Sequence, residues 1–151
     1  SSAAPCIVVA TGSCGTQGGL VAGTCASGRA WRVVGASVSR PPAECRARVL
    51  ALARAACTHL GGEGVDASLV EVVDARGPGY GVASDEGERA AEVAGATEGL
   101  LLDPVFTAKA FAVALEVAAA SDRPVVFVHT GGVASALWHR RQPARGEPAV
   151  V

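Results

Sequence analysis

Residues 8–23 read Val-Val-Ala-Thr-Gly-Ser-Cys-Gly-Thr-Gln-Gly-Gly-Leu-Val-Ala-Gly: a buried strand, a Gly/Ser/Thr turn and the opening of a helix. A strand-turn-helix junction of this kind turns several backbone N–H groups and the positive end of a helix towards one spot, which suits a phosphate. Cys14 lies in the turn, where a helix N-terminus can lower a thiol pKa. Two further glycine-rich loops follow apolar runs, residues 77–81 and Gly131-Gly132. In an open α/β sheet, loops that follow strands gather at the carboxyl edge, where ligands bind. A phosphate cradle, Tyr80 and the hydroxyl of Thr130 are therefore expected to face one cavity.

The elements that position these loops alternate. Apolar runs at 6–10, 31–37, 69–73 and 124–129 read as strands. Helices are expected from about 16 to 26 and from Pro41-Pro42 to about 59, closed by Gly61 and Gly62. A third follows the Ser84 cap to about 97, a fourth runs from 107 to 120, and a short one follows Gly132. The second of these should bury Val49, Leu50, Leu52, Ala53, Ala56 and Cys57. At Ser84 the capping box is incomplete, with Gly87 in place of Glu or Gln. The order β-α-β-α-β-α-α-β-α predicts an α/β fold: an open, mostly parallel sheet with helices on both faces. The expected division is a partial α/β ligand-binding domain over 1–139 and a frayed tail over 140–151.

At 151 residues the chain is one domain's worth, with half of its residues apolar and few of them aromatic. A net charge of −1 gives no reason to invoke nucleic acid or acidic lipid. No apolar run is long enough to span a bilayer, and the first residues lack the basic region of a secretory signal. The five cysteines, Cys6, Cys14, Cys25, Cys45 and Cys57, form no C-x-x-C pair. Their odd count and irregular spacing fit neither a zinc site nor a disulfide framework, so free thiols in a reducing cytoplasm are expected, and no metal. The abrupt entry into a strand after Pro5 suits a chain cut from a larger protein.

Four motifs make the reading specific. Residues 12–20, Gly-Ser-Cys-Gly-Thr-Gln-Gly-Gly-Leu, resemble the G-S-G-G-T-x-A-G-L loop of the D-cysteine desulfhydrase/1-aminocyclopropane-1-carboxylate (ACC) deaminase family, pyridoxal-phosphate enzymes of fold type II. Residues 77–82, Gly-Pro-Gly-Tyr-Gly-Val, are similar to its G-P-G-Y-G-V. Residues 98–110 resemble E-G-[IV]-L-L-D-P-V-Y-T-G-K-A, and residues 129–132 resemble H-T-G-G. The resemblance implies pyridoxal 5′-phosphate as cofactor and a small amino acid as substrate. It implies that the backbone of Ser13, Cys14 and Gly15, with Thr16, holds the phosphate, and that Tyr80 sits beside cofactor and substrate as the one catalytic residue in this chain. Thr130 would approach the pyridine nitrogen, and Gly12, Thr107 and Gly131 would also contact the cofactor. A neutral hydroxyl at Thr130 leaves that nitrogen less protonated than a carboxylate would.

The deaminase branch carries glutamate and leucine where this chain has Thr107 and Thr130. The resemblance therefore implies the desulfhydrase side, with ACC deaminase and cysteate sulfo-lyase as alternatives and a homodimer as the assembly of the full-length protein. Three departures from the family pattern matter. Phe106 replaces a tyrosine, and Cys14 replaces a glycine. The lysine that links the cofactor belongs to an N-terminal part that precedes these motifs. The chain's single lysine, Lys109, matches a different family lysine and is expected to be structural or on the surface. A non-catalytic fragment, inactive alone, is thus the second reading.

Other chemistries fit less well. Gly12, Gly15 and Gly18 have the wrong spacing for G-x-G-x-x-G, no acidic residue ends the second strand, and Arg40 would have to serve a dinucleotide's 2′-phosphate. Ser13, His129 and Asp103 could be grouped as a triad, but no nucleophile-elbow sequence supports it, and His129 reads as a packed strand-end residue.

Overall fold

A computed structural model describes residues 3–140. The elements run β1 (Cys6–Thr11), α1 (Gly15–Ala26), β2 (Arg32–Ser37), α2 (Pro42–His59), a 3-10 turn (Ala67–Leu69), β3 (Glu71–Asp74), α3 (Asp85–Glu98), α4 (Thr107–Ala119), β4 (Val125–Val128) and α5 (Val133–Arg140). The four strands are all parallel, in the order β3-β2-β1-β4. Among the described residues no helix is long and apolar enough to cross a membrane.

Strand alternation sorts the core into two layers. Ile7 and Val33 point to one face, beneath α1 and α2, with Val21, Ala22, Val49 and Ala53. Cys6, Val8, Val34 and Ala36 point to the other, against Ala110, Val113 and Ala114 of α4. The helix α3 packs on α4 through Ala94 and Ala108. Small side chains let these layers approach closely. At Gly18 an added Cβ would come within 3.0 Å of the Cβ of Leu52, so α1 and α2 meet almost backbone to backbone.

Several boundaries differ from expectation for local reasons. The third strand starts at Glu71, not residue 69, because the Asp66 carboxylate accepts the Ser68 N–H at 2.7 Å and winds residues 67–69 into a 3-10 turn. The buried stripe of α2 is Cys45, Val49, Ala53 and Cys57, spaced by four. Leu52 falls off that stripe and is 42% exposed. The described part of α5 reaches Arg140, the first residue of the expected tail. The rest of the expected tail, 141–151, lies outside the described residues. At Ser84 half of the capping box forms: the hydroxyl accepts the Gly87 N–H at 3.2 Å.

Candidate active site

The carboxyl ends of the four strands surround a cleft of about 750 Å³ lined by Ala10, Gly12, Ser13, Thr16, Ser39, Arg40, Tyr80, Phe106 and Thr130. Each strand contributes through its following loop: Gly12, Ser13 and Thr16 after β1, Ser39 and Arg40 after β2, Tyr80 after β3, and Thr130 after β4. The chain winds outward from β1 through β2 to β3, then returns to the far side of β1 as β4. That reversal opens a crevice between the β1 and β4 loops, the usual place for a ligand in such a sheet.

The first wall of the cleft is the N-terminus of α1. No side chain caps it, its first turn holds no acidic residue, and Ser13, Gly15 and Thr16 are exposed. The amides of that turn have no intrahelical acceptor, so they are free to bind an anion. Cys14, the N-cap, is in the left-handed region at φ 73°. Its side chain is not in the cleft but buried beneath α1, with the sulfur 3.7 Å from the Gly12 carbonyl. Burial, and then the adjacent Cys45, push the Cys14 thiol above the ordinary range. This is the opposite of an activated thiolate. Only the backbone of Cys14 is available to a ligand.

Two polar contacts fix this loop, neither of them anticipated from the sequence. Gln17 is fully buried. Its carbonyl accepts the Thr11 hydroxyl at 2.8 Å, and its amide donates to the Glu71 carbonyl at 2.6 Å, tying α1 to β1 and β3. The amide group occupies the space above Gly35, where a Cβ would lie 1.9 Å from Gln17 Oε1. Arg40 reaches back from the β2 loop and donates from Nη1 to the Gly12 carbonyl at 2.6 Å. A glutamine one turn into a helix and a glycine in mid-strand were the available signals, visible only as a pair once β1 and β2 are in register.

The Tyr80 loop is held from inside. Lys109 is 2% exposed, and its ammonium donates to the carbonyls of Arg76 at 2.6 Å and Gly79 at 3.1 Å. Burial lowers its pKa. Lys109 is thus structural, as expected, and buried rather than superficial. Tyr80 itself is 65% exposed and meets Phe106 edge to face, with ring centroids 6.1 Å apart.

The Thr130 loop is held by Asp103. This buried carboxylate accepts the N–H groups of Val105, Phe106 and Thr107 at 2.7 to 3.0 Å, and so caps α4. It also packs under Gly132, where a Cβ would fall 2.4 Å from Asp103 Oδ2. The Thr107 hydroxyl donates to Asp103 at 2.6 Å and accepts the Asp103 N–H at 2.8 Å. Thr107 is therefore buried at the start of α4, and its neighbour Phe106 lines the cleft instead. Thr107 was expected to contact a cofactor, but in this structure its hydrogen bonds are spent on Asp103. Gly131 is exposed, at φ 113°, and does not line the cleft. His129 bonds the Leu101 carbonyl at 3.0 Å and accepts the Gly131 N–H at 3.2 Å. With Asp103 capping a helix and His129 bracing a loop, no triad with Ser13 forms.

Residues 3–131 match the family model described as pyridoxal-phosphate dependent enzyme. D-cysteine desulfhydrases of Salmonella newport (strain SL254) and Salmonella heidelberg (strain SL476) are each 38% identical over an alignment of 136 residues that covers 83% of this chain. The chain spans 39% of the length of those relatives. A solved structure of an ACC deaminase homologue superposes with a TM-score of 0.76 at 33% identity, over 86% of this chain and 40% of that one. A match over so much of this chain places it plainly: the chain belongs to the pyridoxal-phosphate-dependent enzymes.

Proposed function

We propose that this chain is the C-terminal, cofactor-binding portion of a pyridoxal-phosphate-dependent lyase of the D-cysteine desulfhydrase type. The observation that carries the reading is the uncapped N-terminus of α1, opening on the same cleft as Tyr80 and Thr130. The residues present fit the phosphate end of the cofactor: free amides at 13–16, the Ser13 and Thr16 hydroxyls, and Arg40 close by. They do not fit its aldehyde end, because the one lysine amine is buried on two carbonyls.

When bound, pyridoxal phosphate supplies an electron sink for negative charge at an amino acid's α-carbon. The other roles fall to this chain's own groups. The amides at 13–16 anchor the phosphate and so fix where the ring lies. Thr130, at the end of β4, offers a neutral hydroxyl that supplies no countercharge to a ring nitrogen. Tyr80 and Phe106 form an aromatic wall that orients a small substrate. The base that moves the α-proton, by family resemblance a lysine, must come from another segment. The desulfhydrase reading over the deaminase one rests on Thr107 and Thr130 and on the names of the relatives. Its overall chemistry is D-cysteine plus water to pyruvate, hydrogen sulfide and ammonia.

Expressed together with the lysine-bearing part of the family fold, the protein is expected to release sulfide and pyruvate in equal amounts from D-cysteine. Turnover of ACC or cysteate in its place would overturn the substrate assignment. Lys109 favours a second reading for the chain by itself, a non-catalytic piece. Borohydride reduction with the cofactor, followed by peptide mass spectrometry, is expected to find no pyridoxyl group on Lys109. A modified Lys109 would make the chain an autonomous enzyme.

A further inference from the structure

Arg40 is the one charged side chain lining the cleft among the described residues. Its position is over-determined. The Ser37 hydroxyl donates to its carbonyl, its Nε pairs with Glu44 at 3.0 Å, and its Nη1 donates to the Gly12 carbonyl at 2.6 Å and to the Ser39 hydroxyl at 3.5 Å. A guanidinium carries five N–H donors in a rigid fork. Nη1 and Nε are committed, and no hydrogen bond among the described residues uses Nη2. Because Nη1 is bonded to the first residue of the phosphate loop, Nη2 is held within a few ångströms of it. If Arg40 served only to pin the loop, a single donor would suffice. A lysine there could not hold Gly12 and Glu44 and still offer a further N–H in the same plane.

We propose that Arg40 is a phosphate contact of this cleft, presenting Nη2 to an oxyanion seated on the N-terminus of α1. The inference rests on the pyridoxal-phosphate reading and deepens it: it makes the site selective for the phosphorylated cofactor through a side chain as well as through backbone amides. The guanidinium supplies the full positive charge that a helix end, about half a charge, lacks against a dianion.

The test is a titration of the isotope-labelled chain with pyridoxal phosphate, pyridoxal and inorganic phosphate, read from the backbone amide resonances of residues 13–16. Wild type should bind pyridoxal phosphate more tightly than pyridoxal. Arg40→Met should weaken pyridoxal phosphate and inorganic phosphate about tenfold and leave pyridoxal unchanged. Arg40→Lys, which keeps the charge, should lose about threefold for the phosphorylated ligand alone, and it decides the matter if the Met variant does not fold. Wild-type affinity for phosphate in either variant overturns the proposal. So does an equal loss for pyridoxal and pyridoxal phosphate, which would make Arg40 a loop support only. A wild-type chain that does not distinguish the two ligands overturns the cofactor reading itself, a failure visible before any variant is made.

Discussion

Cys14 stands where the backbone asks for glycine. At φ 73° a residue with a Cβ costs about 1 kcal/mol or more, yet the same side chain fills space in the layer beneath α1 and α2. The two effects oppose each other, so the informative comparison is between variants. Cys14→Gly and Cys14→Ala both lose the sulfur, but only glycine relieves the dihedral. The glycine variant is expected to be the more stable by about 1 kcal/mol in urea melts, and equal stabilities would show that the turn relaxes instead. The same burial makes the thiol inert: alkylation of the native chain, mapped by peptide, should reach the half-exposed Cys25 before Cys14. At this scale the sequence was partly legible. The glycines, Tyr80 and Thr130 announce themselves by type and place. The partners of Lys109 and Thr107 do not, because a motif shows which residues recur together but not which of them face inward. Thr107 reads as a cofactor contact by its motif, and only the register of Asp103 against α4 shows its hydroxyl to be a capping partner.

Among the elements, β1 and β2 show how far pattern reading reaches. Their apolar runs, in alternation with helical segments, are enough to expect parallel buried strands, and both lie there. The boundaries that moved did so where a side chain rather than hydrophobicity decides, as when Asp66 winds a turn ahead of β3. What the runs cannot show is the polar bolt that Gln17 drives between α1 and the sheet. Gly35 makes room for it, so Gly35→Ala should displace the Gln17 amide and cost about 3 kcal/mol, measured by chemical denaturation. A loss well below 1 kcal/mol would mean that Gln17 has another place to go. Because the amide also ties α1 to β3, the variant should weaken anion binding at residues 13–16 along with stability.

For the molecule as a whole, buried titratable groups set the alkaline limit. Burial raises the thiols of Cys6, Cys14 and Cys25 above 9.0. The unfolded chain loses those protons near that value while the folded chain keeps them. The stabilisation is therefore fully present below about pH 9 and is lost as pH rises through the raised folded values. Lys109 acts in the other direction: its lowered folded pKa adds stability as pH climbs towards 10.5. The thiols thus pull the melting temperature down above about pH 9 under reducing conditions, against Lys109, and replacing Cys14 should make the curve flatter or rising there. Identical pH dependences in wild type and the Cys14 variant would overturn the thiol's part. One further consequence follows from α4. Its N-terminal end carries both fastenings of the cleft's far wall: Asp103, bonded to Thr107 and wedged under Gly132, and Lys109, reaching the loop of Tyr80. The two loops come from different strands, yet they hang from a single shaft. Any tilt of that helix swings them together, as two jaws on one pivot, and their amide protons should exchange with solvent in step rather than one after the other.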